Sequence, residues 1–253
     1  MHLKLIFLSL FHMNFFSDKL SLSDLETNLN EEWKTRLGDD LFRRPYWKTI
    51  TTGINSSLAK VGTIIPRKEQ IFASLNSFDG SNFRVLMIGQ DPYPTPGNAT
   101  GYAFASSRGR PTPASLKQIF KEIDQEYGSN MSEKRNFNGS LDEWIDQGVL
   151  LLNTCLTIGI NNDKHDQIGW QSFIGDVLEY LDKTYVFVTI ALGANAIKIA
   201  NEYIIKNRDL IVSAGHPSPL NRTRPFLGCK CFEQTNSKLL SRNLLPIKWA
   251  IKD

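Results

Sequence analysis

The chain has 253 residues, 41% of them apolar and 22% charged, a balance that suits one globular domain with a sizeable core and excludes disordered and fibrous classes. Its net charge is only +3, so no basic tail announces a nucleic-acid partner, yet Lys206 to Asp253 carries nine Lys and Arg against three acids, a local excess of +6. Cys155, Cys229 and Cys231 are too few for a disulfide framework, lack the CxxC spacing of a zinc site and fall short of the four thiolates that an iron–sulfur cluster usually takes. They read as reduced thiols of an intracellular protein, with Cys229 and Cys231 on opposite faces if that segment is extended, and no metal is expected.

In chain order, the first feature is LKLIFLSLFHMNFF, residues 3–16. Lys4 and the apolar run resemble the start of a secretion signal, but no small-residue cleavage site follows and the run is too short and interrupted for a membrane span. Two readings are preferred to secretion: a start codon assigned too early, with Met13 as a later start, or an N-terminal element docked on the core. Residues 1–30 are therefore set apart as an extension, and 31–253 as a single catalytic domain.

Four apolar runs then read as buried parallel strands: FRVLMIG (83–89), GVLLLNT (148–154), TYVFVTIAL (184–192) and DLIVSAG (209–215). Between them ASLKQIFKEIDQEY (114–127), GWQSFIGDVLEYLD (169–182) and ANAIKIANEYI (194–204) repeat apolar residues three and four apart, as amphipathic helices do. This alternation predicts an α/β fold, a three-layer α/β/α arrangement around a central, mainly parallel four-stranded sheet.

Ligands of such folds bind beyond the carboxyl ends of the strands. Three of those ends carry unusual chemistry: GQDPYPTPG after the first strand, NTCLTI at the end of the second and HPSPLNRTRPF after the fourth. The third runs into LGANA, an ordinary strand-to-helix turn to which no role is assigned. Taken alone, Gly89 to Pro94 is either a rigid turn or a strand-end loop in which Pro92 holds the Asp91 carboxylate against a substrate. His216 alone reads as a structural histidine, a preference that its place opposite Asp91 across the predicted crevice reverses.

Together GQDPYP (89–94), GYAFAS (101–106), LLLNTCLT (150–157) and HPSPLN (216–221), in this order, closely resemble the motifs of the family 1 uracil-DNA glycosylases. The resemblance runs from about Trp33 to the C-terminus. It includes FRRPYWKTI (42–50), IIPRKEQIFASL (64–75), His165 with Gly169-Trp170 after it, and FLGCKCFEQTN (226–236). It implies a monofunctional hydrolase of base excision repair that flips uracil out of DNA and cuts its N-glycosidic bond, leaving an abasic site, without a cofactor.

As the base departs, the sugar approaches an oxocarbenium cation and the uracil an anion. The resemblance gives Asp91 the task of stabilising the cation and positioning water, and His216 that of donating to uracil O2. It implies that Asn153 pairs with uracil O4 and N3–H, that Tyr93 excludes the thymine methyl, that Phe104 stacks on the flipped base and that Gln90 contacts it. Leu220 is implied as the wedge that fills the vacated stack, Ser115 and Ser218 as phosphate-pinching hydroxyls and Arg224 as a DNA-binding cation, with Arg222 assisting. The implied partners are uracil-containing DNA, single- or double-stranded, repair or replication proteins and a uracil-mimicking protein inhibitor. No membrane partner is expected, and the implied state is a monomer in the cytoplasm, or in the nucleus of a eukaryotic or virus-infected cell.

Pro94 stands where many members have a histidine, a departure that bears on water positioning near Asp91. Residues 158–170 lack the usual basic residue soon after the LT pair, and Tyr102 and Ala105 replace a smaller apolar residue and a serine. The chief alternative is a catalytically impaired DNA-binding scaffold or processivity protein of the same fold, which would have no need of Asp91, His216, Asn153 and Tyr93 together. A glycosylase of wider base range is a second, and Tyr93 argues against thymine. An unrelated α/β nucleotide-binding or hydrolase domain is set aside, because neither a GxGxxG or GxxxxGK phosphate loop nor a nucleophile elbow is present.

Overall fold

The computed structural model describes residues 15–221 and 225–251. At its centre lies a fully parallel four-stranded sheet, in the order Val149–Asn153, Val85–Gly89, Val188–Leu192, Ile211–Ala214. The apolar run that opens each strand in the sequence is longer than the strand itself. Arg208–Leu210, for example, is a short 3₁₀ turn leading into the fourth strand.

Alternation along the strands builds the two outer layers, because successive side chains leave opposite faces of a sheet. Leu86, Ile88, Leu150 and Leu152 face a core shared with helices Tyr46–Val61, Trp170–Thr184 and Ala194–Tyr203. Val85, Met87, Val149 and Leu151 face the other core, closed by helices Ala114–Tyr127 and Cys231–Ser241 together with Trp144 and Trp249. Both faces are thus covered, which is why the strands read as continuous apolar runs.

Two of the longer helices escape the periodicity reading. Tyr46–Val61, YWKTITTGINSSLAKV, is rich in Thr, Ser and β-branched residues with poor helix propensity. Burial overrides propensity here: Trp47, Ile50, Ile54 and Leu58 form a stripe against the core, and Gly62, at φ 74°, closes the helix. Cys231–Ser241 begins after Lys230, which is left-handed at φ 54°. Cys231 is the first residue of that helix, so the extended segment with opposed faces is corrected to a helix start. All three cysteines are free.

Residues 3–14 of the apolar N-terminal stretch lie outside the described residues. Phe16 is buried and exchanges backbone hydrogen bonds of 2.9 Å with Ile64, and Leu20, Leu25 and Leu29, in and beside helix Leu22–Asn28, enter the same core. Among the described residues no helix is long and apolar enough to cross a membrane.

The loop after the second strand is held by a buried polar triad. Thr157 Oγ1 accepts from Trp170 Nε1 at 2.8 Å and lies 2.8 Å from His165 Nδ1. His165 is only 2% exposed, and burial pushes its pKa from 6.5 down to about 4. On acidification the unfolded chain therefore takes up this proton before the folded one, and stability is lost as pH falls from about 6.5 to about 4. The loss attributable to His165 is on the order of 3 kcal/mol. Urea unfolding at pH 7 and pH 4.5 checks it: the pH dependence of His165→Asn is expected to be shallower by most of that amount, and equal dependence contradicts the assignment.

Candidate active site

Parallel register places Gly89 opposite Asn153 and Leu192 opposite Ala214, so the four strands end together on one edge. Beyond that edge a cavity of about 310 Å³, within the usual range for a small-ligand pocket, opens to the surface. Gln90, Asp91, Tyr93 and Phe104 line one part of its wall, and Ser115, Asn153, His216 and Ser218 the rest. Eight of the ten site residues expected from sequence thus meet around one space, though they come from segments more than 120 positions apart.

The Gly89–Pro94 loop is tied to the second strand end. Cys155 N donates to Gln90 O at 2.9 Å, Thr154 N to Gly89 O at 3.0 Å and Thr154 Oγ1 to Gln90 O at 3.1 Å. Asn153 is 5% exposed and packs over Gly89, where a Cβ would sit 2.2 Å from Asn153 Oδ1. Glycine is required at 89 because any side chain would displace that amide. On the opposite wall the Tyr93 hydroxyl donates to Phe104 O at 2.8 Å and lies 3.1 Å from Ser115 Oγ. Burial raises the Tyr93 pKa, so the phenol stays a neutral donor. Phe104 holds a left-handed φ of 64°, a conformation uncommon for a bulky residue, and its ring lines the cavity.

His216 begins the loop after the fourth strand. Its Nδ1 accepts from Ser218 N at 3.0 Å, so the neutral ring must carry its proton on Nε2 and can donate from there. Burial depresses its pKa below 6.5, the main cause, against a smaller upward pull from the Asp91 charge. The ring is therefore neutral at pH 7. Asn221 Nδ2 donates to His216 O at 3.1 Å and Leu220 N to Ser218 Oγ at 3.2 Å, which shapes a tight turn. The turn holds Leu220 out into solvent, 87% exposed with no core to serve. Arg222 and Arg224 lie outside the described residues.

Two parts of the site were not foreseen. The LGANA turn, read as ordinary, touches the site: Gly193, at φ 94°, sits where a Cβ would be 2.9 Å from His216 Cβ. Only glycine combines that conformation with that approach. Lys164 is the other, because its ammonium forms an ion pair with Asp91 Oδ2. Behind the His216 loop, the fully buried Glu122 accepts from Gly228 N at 2.6 Å and from Lys230 N at 2.7 Å, which anchors the chain where it re-enters the fold. Among the described residues no three His, Cys, Asp or Glu side chains gather as metal ligands would.

The chain matches the family model "Uracil DNA glycosylase superfamily" over residues 76–240. It is 35% identical to a uracil-DNA glycosylase of Clostridium beijerinckii over 227 residues, covering 89% of this chain and 98% of that one. It is 35% identical to a uracil-DNA glycosylase of Pseudomonas aeruginosa over 232 residues, covering 91% and 98%. Among solved structures, mimivirus uracil-DNA glycosylase superposes with a TM-score of 0.77 at 25% identity, covering 92% of this chain and 90% of that one. A mimivirus UNG variant in complex with UGI superposes with a TM-score of 0.76 at 27% identity, covering 92% of each. With the family model spanning most of the chain, and relatives a third identical over nearly all of it, this protein belongs to the uracil DNA glycosylase superfamily.

Proposed function

We propose that this protein extrudes uracil from DNA and hydrolyses its N-glycosidic bond, releasing the free base and leaving an abasic site for base excision repair. The observation that carries this reading is the His216 ring, held with its proton on Nε2 at the edge of a cavity that also holds the Asp91 carboxylate and the Asn153 amide. Asp91 stabilises the positive charge of the sugar and orients the attacking water. The Nε2–H of His216 donates to the uracil oxygen on which negative charge gathers. A scaffold that only binds DNA has no use for a neutral imidazole held in one tautomer beside a carboxylate.

Asn153 offers both an acceptor and a donor to the Watson–Crick edge of uracil, a pattern that cytosine cannot match. Phe104 stacks on the base, Gln90 contacts it, and Tyr93 stands where the thymine methyl would go. Tyr93→Ala is expected to gain excision of thymine from DNA, from undetectable to measurable, while uracil excision falls severalfold because Ser115 and the Phe104 carbonyl lose their shared hydroxyl. Product analysis on thymine-containing oligonucleotides checks this, and a variant still inert toward thymine contradicts steric exclusion. Leu220 enters the stack as the base leaves, and Ser115, Ser218 and Arg224 grip the flanking phosphates.

The reading extends to a single catalytic unit acting as a monomer on single- or double-stranded uracil-containing DNA, in the cytoplasm or nucleus, in concert with repair or replication proteins. The burial of Phe16 and Leu20 in the main core supports including the N-terminal segment from residue 15 in that unit. The UGI complex of the mimivirus relative supports binding of a protein inhibitor. Chromatography of the products formed from a uracil-containing duplex tests the reaction: free uracil and an alkali-labile strand are expected, and an unchanged substrate overturns it.

A further inference from the structure

We propose that Lys164 is a phosphate-responsive guard on Asp91. In the free protein its ammonium caps the carboxylate, and on DNA binding it passes to a backbone phosphate beside the extruded nucleotide, leaving Asp91 to the sugar. This rests on the function proposed above.

The position of Lys164 is built by the fold. Its neighbour Asp163 accepts from Ser57 Oγ at 2.6 Å and pairs with Lys60, and its other neighbour, His165, is buried on Thr157. With both flanking residues anchored, the Lys164 side chain is presented at the Gly89–Pro94 loop, where it meets Asp91 Oδ2. Pro94, in that loop, has no donor to offer the carboxylate. The lysine side chain stays 39% exposed while that of Asp91 is 18% exposed, so the cation covers the carboxylate from the solvent side.

That arrangement suits the approach of DNA and conflicts with the reaction. A bare carboxylate at the mouth repels an approaching polyanion, and pairing it with an ammonium removes the repulsion. Once the sugar begins to become a cation, the same ammonium opposes it and competes for the same carboxylate oxygens. Lysine is suited to leave, being a hydrated charge on a flexible four-carbon stem. The substrate brings the competing anion with it, since phosphates flank the sugar above Asp91. Moving between the two partners is a swing of one side chain with no change of backbone.

The test uses a duplex bearing 2′-fluoro-2′-deoxyuridine, whose fluorine disfavours the sugar cation, so that binding is read without cleavage. Its affinity is measured against salt concentration for the wild-type chain, Lys164→Met and Lys164→Arg, beside single-turnover excision from an ordinary uracil duplex. Each lysine that neutralises a phosphate adds about 0.9 to the slope of log affinity against log salt. The expected result is a slope lower by about one for Lys164→Met and retained for Lys164→Arg, with single-turnover excision reduced less than affinity. An unchanged slope in Lys164→Met overturns the proposal, and with slowed excision it makes Lys164 a fixed brace for Asp91. A slope lost in Lys164→Arg as well also overturns it, because any mobile cation should serve. Failure of the wild-type chain to excise uracil in the same series indicts the underlying function instead.

Discussion

Asp91→Asn is expected to lose uracil excision by on the order of 10³-fold while still binding uracil-containing DNA. The substitution keeps the shape of the side chain and removes its charge, so what disappears is stabilisation of a sugar cation that exists only on the way to products. Binding of the intact substrate does not draw on that charge. Loss of the carboxylate also frees Lys164 from its ion pair, which leaves an additional cation for the phosphates. Affinity is accordingly expected to hold or rise. Parallel single-turnover and gel-shift measurements check this, and an equal fall in binding and rate would mean that Asp91 serves to hold DNA or the loop.

His216→Leu is expected to slow excision by about 10²- to 10³-fold, the usual cost of removing a preorganised donor from a site of developing negative charge. Leucine preserves bulk against Gly193 but offers no hydrogen to the departing base. The pH dependence follows from the same geometry. Burial holds the His216 pKa below 6.5, so the neutral donor persists at pH 6.5 and is lost only in more acidic solution. Protonation would also put a hydrogen on Nδ1, where Ser218 N now donates, and so disrupt the turn that carries Leu220. Imidazole NMR in the free protein is expected to give His216 a midpoint below that of an exposed histidine. A midpoint above 6.5 contradicts the neutral-donor role.

Much of this site is legible in sequence because its groups sit at strand ends, where strand position and side-chain chemistry coincide. Gly89-Gln90-Asp91, Asn153 and His216 each follow an apolar run that length and composition mark as a buried strand. Helix Ala114–Tyr127 has the bounds its periodicity predicts, since its apolar face alone decides its packing. Tyr46–Val61 is less legible, because its residues favour other local structure and become helical only when Trp47 and Ile54 find the core. Lys164 is illegible for a related reason. In sequence it is one charge in a polar loop, and its partner lies 73 positions away, brought near only by the register of the first two strands. Gly193 likewise resembles any strand-to-helix glycine until the fourth strand places His216 against it.

The most direct test of the central claim is a gel assay of the purified protein with EDTA present, on matched oligonucleotides that carry uracil, thymine or cytosine at one position, followed by alkali. Strand breakage only at uracil is the predicted result, and it would establish the reaction, the base selected and independence from added metal together. Intact strands that are nevertheless shifted tightly by the protein would contradict the assignment and point to a binding scaffold.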